Sequence, residues 1–358
     1  MICRAMRGRS RSQVSVVCLF NLENAIPKAH PIRKVKRLAD DVLRGLGDAF
    51  SSMYADTGRP SIPPERLLLA SVLMALYSVR SERMFCERLR YDLLFRWFLD
   101  MGLDEEALDA TSFGKNRERL IEHDVARQFF VAVVERARAE GLVSSEHFSV
   151  DGTLSEAWAS LKSFRPKHEQ AAKDNNGWAD FRGRKRSNDT HASTTDPDAR
   201  LWRKGKGREA KLCFMGHSLM ENRNGLLVDM RVTLATGHAE RAAALQMVDA
   251  LGLQSGTLGA DRGYDTADFI AACRSRGITP HVAQNTSKRR SAIDGRTTRW
   301  SGYAISLIKR RLIEQGFGWA KSIGGLRRSR LRGIAKTQLL VHVAGAAYNL
   351  LRVARLVQ

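Results

Sequence analysis

The first part of the chain carries apolar residues at the spacing of α-helices. Ser61, Pro63 and Pro64 form a helix start signal, and residues 65–77 are apolar nearly all round, which predicts a buried helix. The same periodicity predicts further helices at residues 32–46, 81–98, 112–121 and 125–140. We therefore predict a basic arm and short helix over residues 1–58, and an all-helical domain over residues 59–142.

The pattern changes after residue 142 to alternating strands and helices. Residues 147–151 alternate with the period of a strand, and the NRNG sequence at 222–225 separates two apolar runs like a hairpin turn. Strands are predicted at residues 147–151, 212–221, 226–234, 257–261 and 278–282, and helices at 239–252, 266–276, 306–323 and 337–357. This order predicts an α/β domain over residues 143–358, with a mixed sheet flanked by helices as in the ribonuclease-H-like fold. Residues 160–211 are polar and basic, and we predict a loop insertion there that orders on DNA.

A large positive charge narrows the possible partners. The chain has 59 Lys and Arg against 38 Asp and Glu, for a formal net charge of +21. Such an excess favours a polyanionic partner, because phosphate contacts supply most of the non-specific affinity for nucleic acid. Hydrophobic residues make up 43% of the chain, which excludes a fully disordered protein. Aromatic residues make up 7%, and an RNA-binding signature is missing, so DNA is favoured over RNA.

Cysteine spacing and hydropathy indicate the compartment. The five cysteines are far apart, with no CxxC pair, so neither a zinc site nor a disulfide framework is expected. An Arg-rich start precedes the apolar residues 14–20 but lacks a cleavage site, so a signal peptide is not expected. The longest apolar run, residues 67–79, is too short to span a bilayer. We expect a cytoplasmic protein that does not enter a membrane.

Two aspartates follow predicted strands. Phosphoryl transfer by two metal ions needs a few carboxylates that arrive from different elements, since hard cations prefer oxygen ligands. Asp151 ends the predicted strand 147–151, and we expect Gly152 after it to let a phosphate approach. Asp261 ends the predicted strand 257–261, and neighbouring parallel strands would bring both aspartates to one edge of the sheet. Either aspartate taken alone is better explained as the N-cap of the next helix.

Glu314 is the third candidate. Arg310 and Lys321 lie four residues before it and seven after it, so all three share one face of a predicted helix. An ordinary surface ion pair between Arg310 and Glu314 explains the same spacing. However, residues 283–335 hold 13 Lys and Arg and only two acids, which favours a metal ligand over a solubilising charge.

Several of these segments together resemble a known family. Asp151 lies in VDGTLSEAWASLKSFRPK and Asp261 in GADRGYD, while the helix resembles the signature Tyr-x-x-Arg-x-x-x-Glu-x-x-x-x-x-x-Lys. NTSKRRSAIDGRTTRWSGYAIS, GGLRRSRLRG and RPSIPPERLLLASVLMALYSVRSER are also similar to family segments. Over nearly its whole length the chain resembles bacterial insertion-sequence transposases of the IS-five type, within the DDE superfamily. Leu307 occupies the signature's Tyr position, which removes one polar DNA contact expected there.

The resemblance implies a mechanism. Asp151, Asp261 and Glu314 would be the catalytic residues and would hold two Mg²⁺ ions, for which Mn²⁺ substitutes. Water would cleave DNA at each element end, and the freed 3′-hydroxyl would attack target DNA. The partners would be terminal inverted repeats, read by the helical domain, and target DNA, held by a homo-oligomer in a synaptic complex. The expected DNA-contacting residues are Arg310, Lys321, Arg289, Arg290, Arg327 and Arg328.

Two other functions remain open on the sequence. A metal-dependent nuclease of the same fold would use the same carboxylates without strand transfer. A non-catalytic DNA-binding remnant would keep the basic surface, although acids at all three positions argue against it.

Overall fold

The computed structural model describes residues 21–55, 57, 61–167, 186–205, 207–287 and 289–357. The basic arm predicted at the start of the chain falls largely outside these residues, as does the middle of the basic insertion.

Eight helices occupy the described part of residues 21–142, where the periodicity predicts five. They are α1 (Leu22–Ala25), α2 (Ile32–Arg44), α3 (Gly47–Ser51), α4 (Pro64–Leu76), α5 (Glu82–Arg88), α6 (Leu93–Phe98), α7 (Ala110–Glu122) and α8 (Val125–Ala139). Helix α4 begins at a proline, and Leu67, Leu68 and Leu73 on it are completely buried. The prediction of a buried helix here is confirmed.

The single helix predicted at 81–98 is wrong, because a turn divides it into α5 and α6. Each part has its own N-cap. Ser81 Oγ accepts a hydrogen bond from the Met84 amide at 3.1 Å, and Asp92 Oδ1 accepts one from the Phe95 amide at 3.2 Å. An Asp in this role satisfies the open N–H groups of a new helix, which favours a start at Leu93 over continuation of α5.

The second part of the chain contains a mixed sheet. Its strands are β1 (His147–Glu156), β4 (Arg200–Trp202), β5 (Lys211–Glu221), β6 (Leu227–Leu234), β7 (Gly256–Ala260) and β8 (Ile278–Val282), while β2 (Phe164–Pro166) and β3 (His191–Ser193) form a separate pair. The sheet order is β4-β5-β1-β7-β8, and β6 also pairs with β5. Strand β1 is antiparallel to β5 and parallel to β7, which is parallel to β8. This is the ribonuclease-H-like α/β arrangement that the element order predicts.

Part of the predicted loop insertion at 160–211 forms strands in its described flanks. Strand β2 pairs with β3, where Ser163 and Ser193 share a buried hydrogen bond of 2.8 Å. Strand β4 extends the main sheet beside β5. The expectation of a loop therefore holds for less of the segment than predicted, and residues 168–185 lie outside the described residues.

Six helices accompany the sheet in the part of the chain that the structure describes. They are α9 (Ala239–Ala250), α10 (Ala267–Ser275), α11 (Gly295–Thr298), α12 (Ser301–Lys309), α13 (Leu312–Ser322) and α14 (Ile334–Leu356). The single helix predicted at 306–323 is wrong, since a tight turn at Arg310 and Arg311 separates α12 from α13. The backbone there makes shorter-range hydrogen bonds, from Arg311 to Ile308 at 3.3 Å and from Glu314 to Arg311 at 3.1 Å. Such i→i−3 bonds tighten a helix end and change the direction of the chain.

Helix α14 joins the helical part of the chain to the sheet. It packs against α4 and α8 of the helical part and against β6 of the sheet. At Gly345 an added Cβ would lie 2.5 Å from Met230 Sδ and 2.8 Å from Phe130 Cε2, so glycine allows the close approach. Buried side chains of both parts belong to one continuous core. The predicted domain boundaries at 58 and 142 stay a prediction.

Within the described residues, the helices are all too short or too polar to cross a membrane.

Candidate active site

Asp151 lies in the middle of a strand rather than at its end. Strand β1 has ten residues and continues to Glu156, and Asp151 is paired with Ser218 of β5. The predicted strand end at 151 is therefore wrong. The alternation of apolar and polar residues that predicts this strand stops at Asp151. The next three residues of β1 are only half-buried, so they do not need to alternate. The Asp151 side chain is half-buried as well, and its Oδ1 accepts a hydrogen bond from the Gly152 amide at 2.8 Å.

Asp261 follows β7 directly, as predicted. Strands β1 and β7 are parallel with Ser149 opposite Gly259, so Asp151 and Asp261 each lie two residues beyond that pair. Asp261 Oδ1 also accepts a hydrogen bond from the Gly263 amide at 2.7 Å and caps a short 3-10 turn. Asp261 is therefore an N-cap, as the alternative explanation from the sequence had it, and it also lies beside Asp151.

The electrostatics of Asp151 show which charges surround it. The pKa of Asp151 is raised to about 6, mainly by burial and also by the negative charges of Asp261 and Glu240. The Gly152 amide and the positive charge of Arg310 act in the opposite direction. Burial, followed by the charge of Asp261, also raises the pKa of Glu240. The charge of Asp261 thus disfavours the ionisation of both Asp151 and Glu240.

Of these three acids, Glu240 is the one that the sequence does not reveal. It lies in the first turn of α9, far from Asp151 along the chain. A Cβ added to Gly152 would lie 2.5 Å from Glu240 Oε1 and 2.8 Å from its Cδ. The space beside Gly152 is therefore filled by this carboxyl group, which corrects the expectation that the glycine leaves room for a phosphate. The sequence feature that could have indicated Glu240 is an acid in the first turn of the helix after a hairpin. Such acids are too common to identify a site.

Arg310 and Lys321 lie on the same side of the sheet as Asp151. A Cβ on Gly259 would meet the Arg310 Cβ at 3.4 Å, which places the turn between α12 and α13 against β7. Burial lowers the pKa of Lys321, and the positive charges of Lys204 and Arg327 lower it further, while Asp151 opposes them. Both cations predicted to hold phosphates are thus near Asp151.

Glu314 is exposed in the first turn of α13. Its carboxylate makes no hydrogen bond or ion pair with the residues that the structure describes. Nor do any three His, Cys, Asp or Glu side chains of the described ranges lie close enough together to hold one metal ion. The third metal ligand therefore stays a prediction.

The other four predicted DNA contacts fall in two places. Arg327 and Arg328 lie in a segment bonded to the end of β1, where the Glu156 amide donates to the Arg327 carbonyl at 3.1 Å. Arg328 stacks over the exposed ring of Trp158, with 4.9 Å from its guanidinium carbon to the ring centre. Arg289 and Arg290 are exposed in the loop after β8, where Arg289 donates to the Asp265 carbonyl.

Comparison with known proteins identifies the family. Residues 162–350 match the family model described as Transposase DDE domain, and residues 20–119 match Transposase domain (DUF772). The chain is a DDE transposase. It is therefore a polynucleotidyl transferase and endonuclease, and its function is DNA transposition. The DDE match includes Asp261, Glu314 and Glu240 but begins after Asp151. No curated protein sequence matches the transposase.

Solved structures give a weaker likeness. The transposase is similar to the piggyBac transposase in a synaptic complex with hairpin DNA, at 9% identity and a TM-score of 0.42 over 90% of this chain and 75% of that one. It is also similar to Mos1 in a pre-cleavage transpososome, at 10% identity and a TM-score of 0.21 over 76% and 83% of the two chains. Because these TM-scores are below 0.5, the family match alone identifies the chain.

The donor groups at this site suit a divalent cation, which enzymes of this family use. Carboxylates are the ligands that hard cations prefer, and a cation would relieve the repulsion that raises the pKa of Asp151. The hydroxyl of Tyr264 supports this fit, since it is buried in the described structure without a hydrogen-bond partner. After burial, the charges that most affect its pKa are those of Glu240, Asp151 and Asp261.

Proposed function

We propose that the transposase cleaves DNA at the ends of an insertion sequence and joins the freed 3′-hydroxyl to target DNA. The main support for this proposal is that Asp151 and Asp261 occupy matching positions along neighbouring parallel strands. Both carboxylates are half-buried at the same height of the sheet, with Arg310 beside them. This is the minimal arrangement for placing a phosphodiester between metal-binding carboxylates and a cation.

The cofactor in this proposal is Mg²⁺, two ions, with Mn²⁺ as a substitute. Asp151, Asp261 and Glu314 would hold the ions, which supply an activated water and stabilise negative charge on the phosphate. The protein's own part is to position the DNA strand and neutralise its charge. Arg310 and Lys321 serve this purpose, since both carry positive charges near Asp151.

The DNA partners in this proposal are the terminal inverted repeats and the target. The net charge of +21 favours both, and the helical region from α1 to α8 would read the repeats. Two ends must be held together for insertion, so we propose a homo-oligomeric synaptic complex. The enzyme would act on chromosomal DNA in the bacterial cytoplasm.

Strand transfer separates this proposal from its alternatives. Full-length protein, Mg²⁺ and a pre-cut duplex ending in the element's own sequence with a free 3′-hydroxyl should yield duplex joined to a supercoiled plasmid. A duplex with a 3′-deoxy end is the matched control and should give no joined product. Cleavage of uncut ends without joining would favour a nuclease of the same fold. Binding without either reaction would favour a non-catalytic remnant.

A further inference from the structure

The carboxyl group of Glu240 is held beside the two aspartates of the active site. It lies over Gly152, the residue that follows Asp151, where an added Cβ would be 2.5 Å from Oε1 and 2.7 Å from Cγ. A glycine at this position in β1 is thus required for Glu240 to reach Asp151. Helix α9 presents Glu240 from its first turn, so the side chain enters the site from an element separate from β1 and β7.

An ordinary helix-stabilising glutamate explains this arrangement less well. A first-turn acid interacts favourably with the helix dipole from an exposed position. Glu240 is instead half-buried, and its carboxylate forms no hydrogen bond or ion pair with any residue in the described ranges. Asp261 repels it, while the positive charges of Arg241 and Lys204 act in the opposite direction without pairing with it. Placing a half-buried carboxylate beside two others with no ion pair of its own is unfavourable unless a cation binds there.

Tyr264 is an independent indication of a ligand. Its side chain is 1% exposed, and its hydroxyl has no hydrogen-bond partner in the described structure. A buried hydroxyl is almost always paired. The charged groups that act on it are Glu240, Asp151 and Asp261 from three different elements, with Arg241 opposing them. The hydroxyl therefore faces the space that these carboxyl groups share.

We propose that Glu240 is a fourth carboxylate of the active site and ligates a divalent cation together with Asp151. Tyr264 is then a positioning residue, which donates a hydrogen bond to the Glu240 carboxylate once the cation orients it. The proposal rests on the metal-dependent function proposed above and adds a ligand that the three-acid signature does not include.

Mn²⁺ binding to the full-length protein without DNA tests this directly, with free Mn²⁺ measured by electron paramagnetic resonance. Glu240→Gln keeps the size of the side chain and should weaken Mn²⁺ binding at least tenfold, as should Asp151→Asn. Glu135→Gln is the control, because Glu135 is exposed on α8 and forms an ion pair with Arg138 at 3.7 Å. It should bind Mn²⁺ like the wild type.

A second variant moves the carboxylate without removing it. Gly152→Ala places a methyl group where Glu240 Oε1 lies, so it should also weaken Mn²⁺ binding while the protein stays folded. Wild-type affinity in both Glu240→Gln and Gly152→Ala, with weakened binding in Asp151→Asn, would overturn the role of Glu240 and leave the proposed function intact. Wild-type affinity in Asp151→Asn as well, or no Mn²⁺ binding by the wild type, would contradict the metal site itself.

Discussion

Asp151 and Asp261 occupy matching positions on two neighbouring parallel strands. Each lies two residues beyond the Ser149–Gly259 pair of β1 and β7. One aspartate is inside a long strand, and the other follows a short one and caps the next turn. The shared register, rather than a shared strand end, is what brings the two carboxylates together.

Burial of Asp151, together with charge repulsion from its acidic neighbours, should make the metal-free protein less stable above pH 6. The folded-state pKa of Asp151 is about 6 against an ordinary 3.8, because burial, Asp261 and Glu240 disfavour its ionisation despite Arg310. The folded protein then binds more protons than the unfolded one between these values, so stability is lost as pH rises through that window. Asp151→Asn removes this cost and should raise the free energy of unfolding at pH 7.5 by up to about 3 kcal/mol.

Urea unfolding in EDTA at pH 3.5 and pH 7.5 measures this effect. The difference between Asp151→Asn and wild type should be present at pH 7.5 and absent at pH 3.5. Added Mg²⁺ should reduce it, because a ligand that binds the folded state stabilises the wild type. Asp268→Asn, at an exposed aspartate in the first turn of α10, should gain no stability at pH 7.5, because the charge of a first-turn acid interacts favourably with the helix dipole. A variant that is less stable than wild type at pH 7.5 would refute the account of this repulsion.

Glu314→Gln should abolish cleavage of element ends and leave DNA binding intact. The expected loss is at least about 100-fold, the size seen when one preorganised electrostatic group is removed from an active site. Gln315→Glu combined with Glu314→Gln is a useful control, since it keeps the charge of α13 but moves it around the helix. Cleavage by Glu314→Gln at the wild-type rate would remove this residue from the site.

Lys321→Ala should weaken DNA binding and reduce its salt dependence. A lysine that contacts one phosphate contributes about 0.9 to the slope of log affinity against log salt concentration. Lys336→Ala is the matched control, because Lys336 is paired with Glu118 at 2.8 Å. The slope, measured by fluorescence anisotropy on a labelled duplex, should fall for Lys321→Ala alone. An unchanged slope in that variant would exclude a phosphate contact.

The sequence predicts the sheet and most helices because their apolar residues repeat at the right spacing. It does not predict the breaks at Asp92 and Arg310, since a local cap and a few short-range hydrogen bonds decide them. The sequence also does not predict where β1 ends. The residues of β1 from Asp151 onward are mostly half-buried beside the site, so they lack the alternation of apolar and polar residues seen in a core strand. The position of Glu240 in the site cannot be predicted from the sequence, for a different reason. Its contact with Gly152 joins distant parts of the chain through the packing of α9 on the sheet.

The central claim is that Asp151 and Asp261 form the catalytic pair. The most direct test is nicking of a duplex that carries the element's own end, with Mg²⁺, by the wild type, Asp151→Asn and Asp261→Asn. We predict nicking at the element end by the wild type alone, with equal DNA binding by all three proteins. Nicking at the wild-type rate by either variant would contradict the claim.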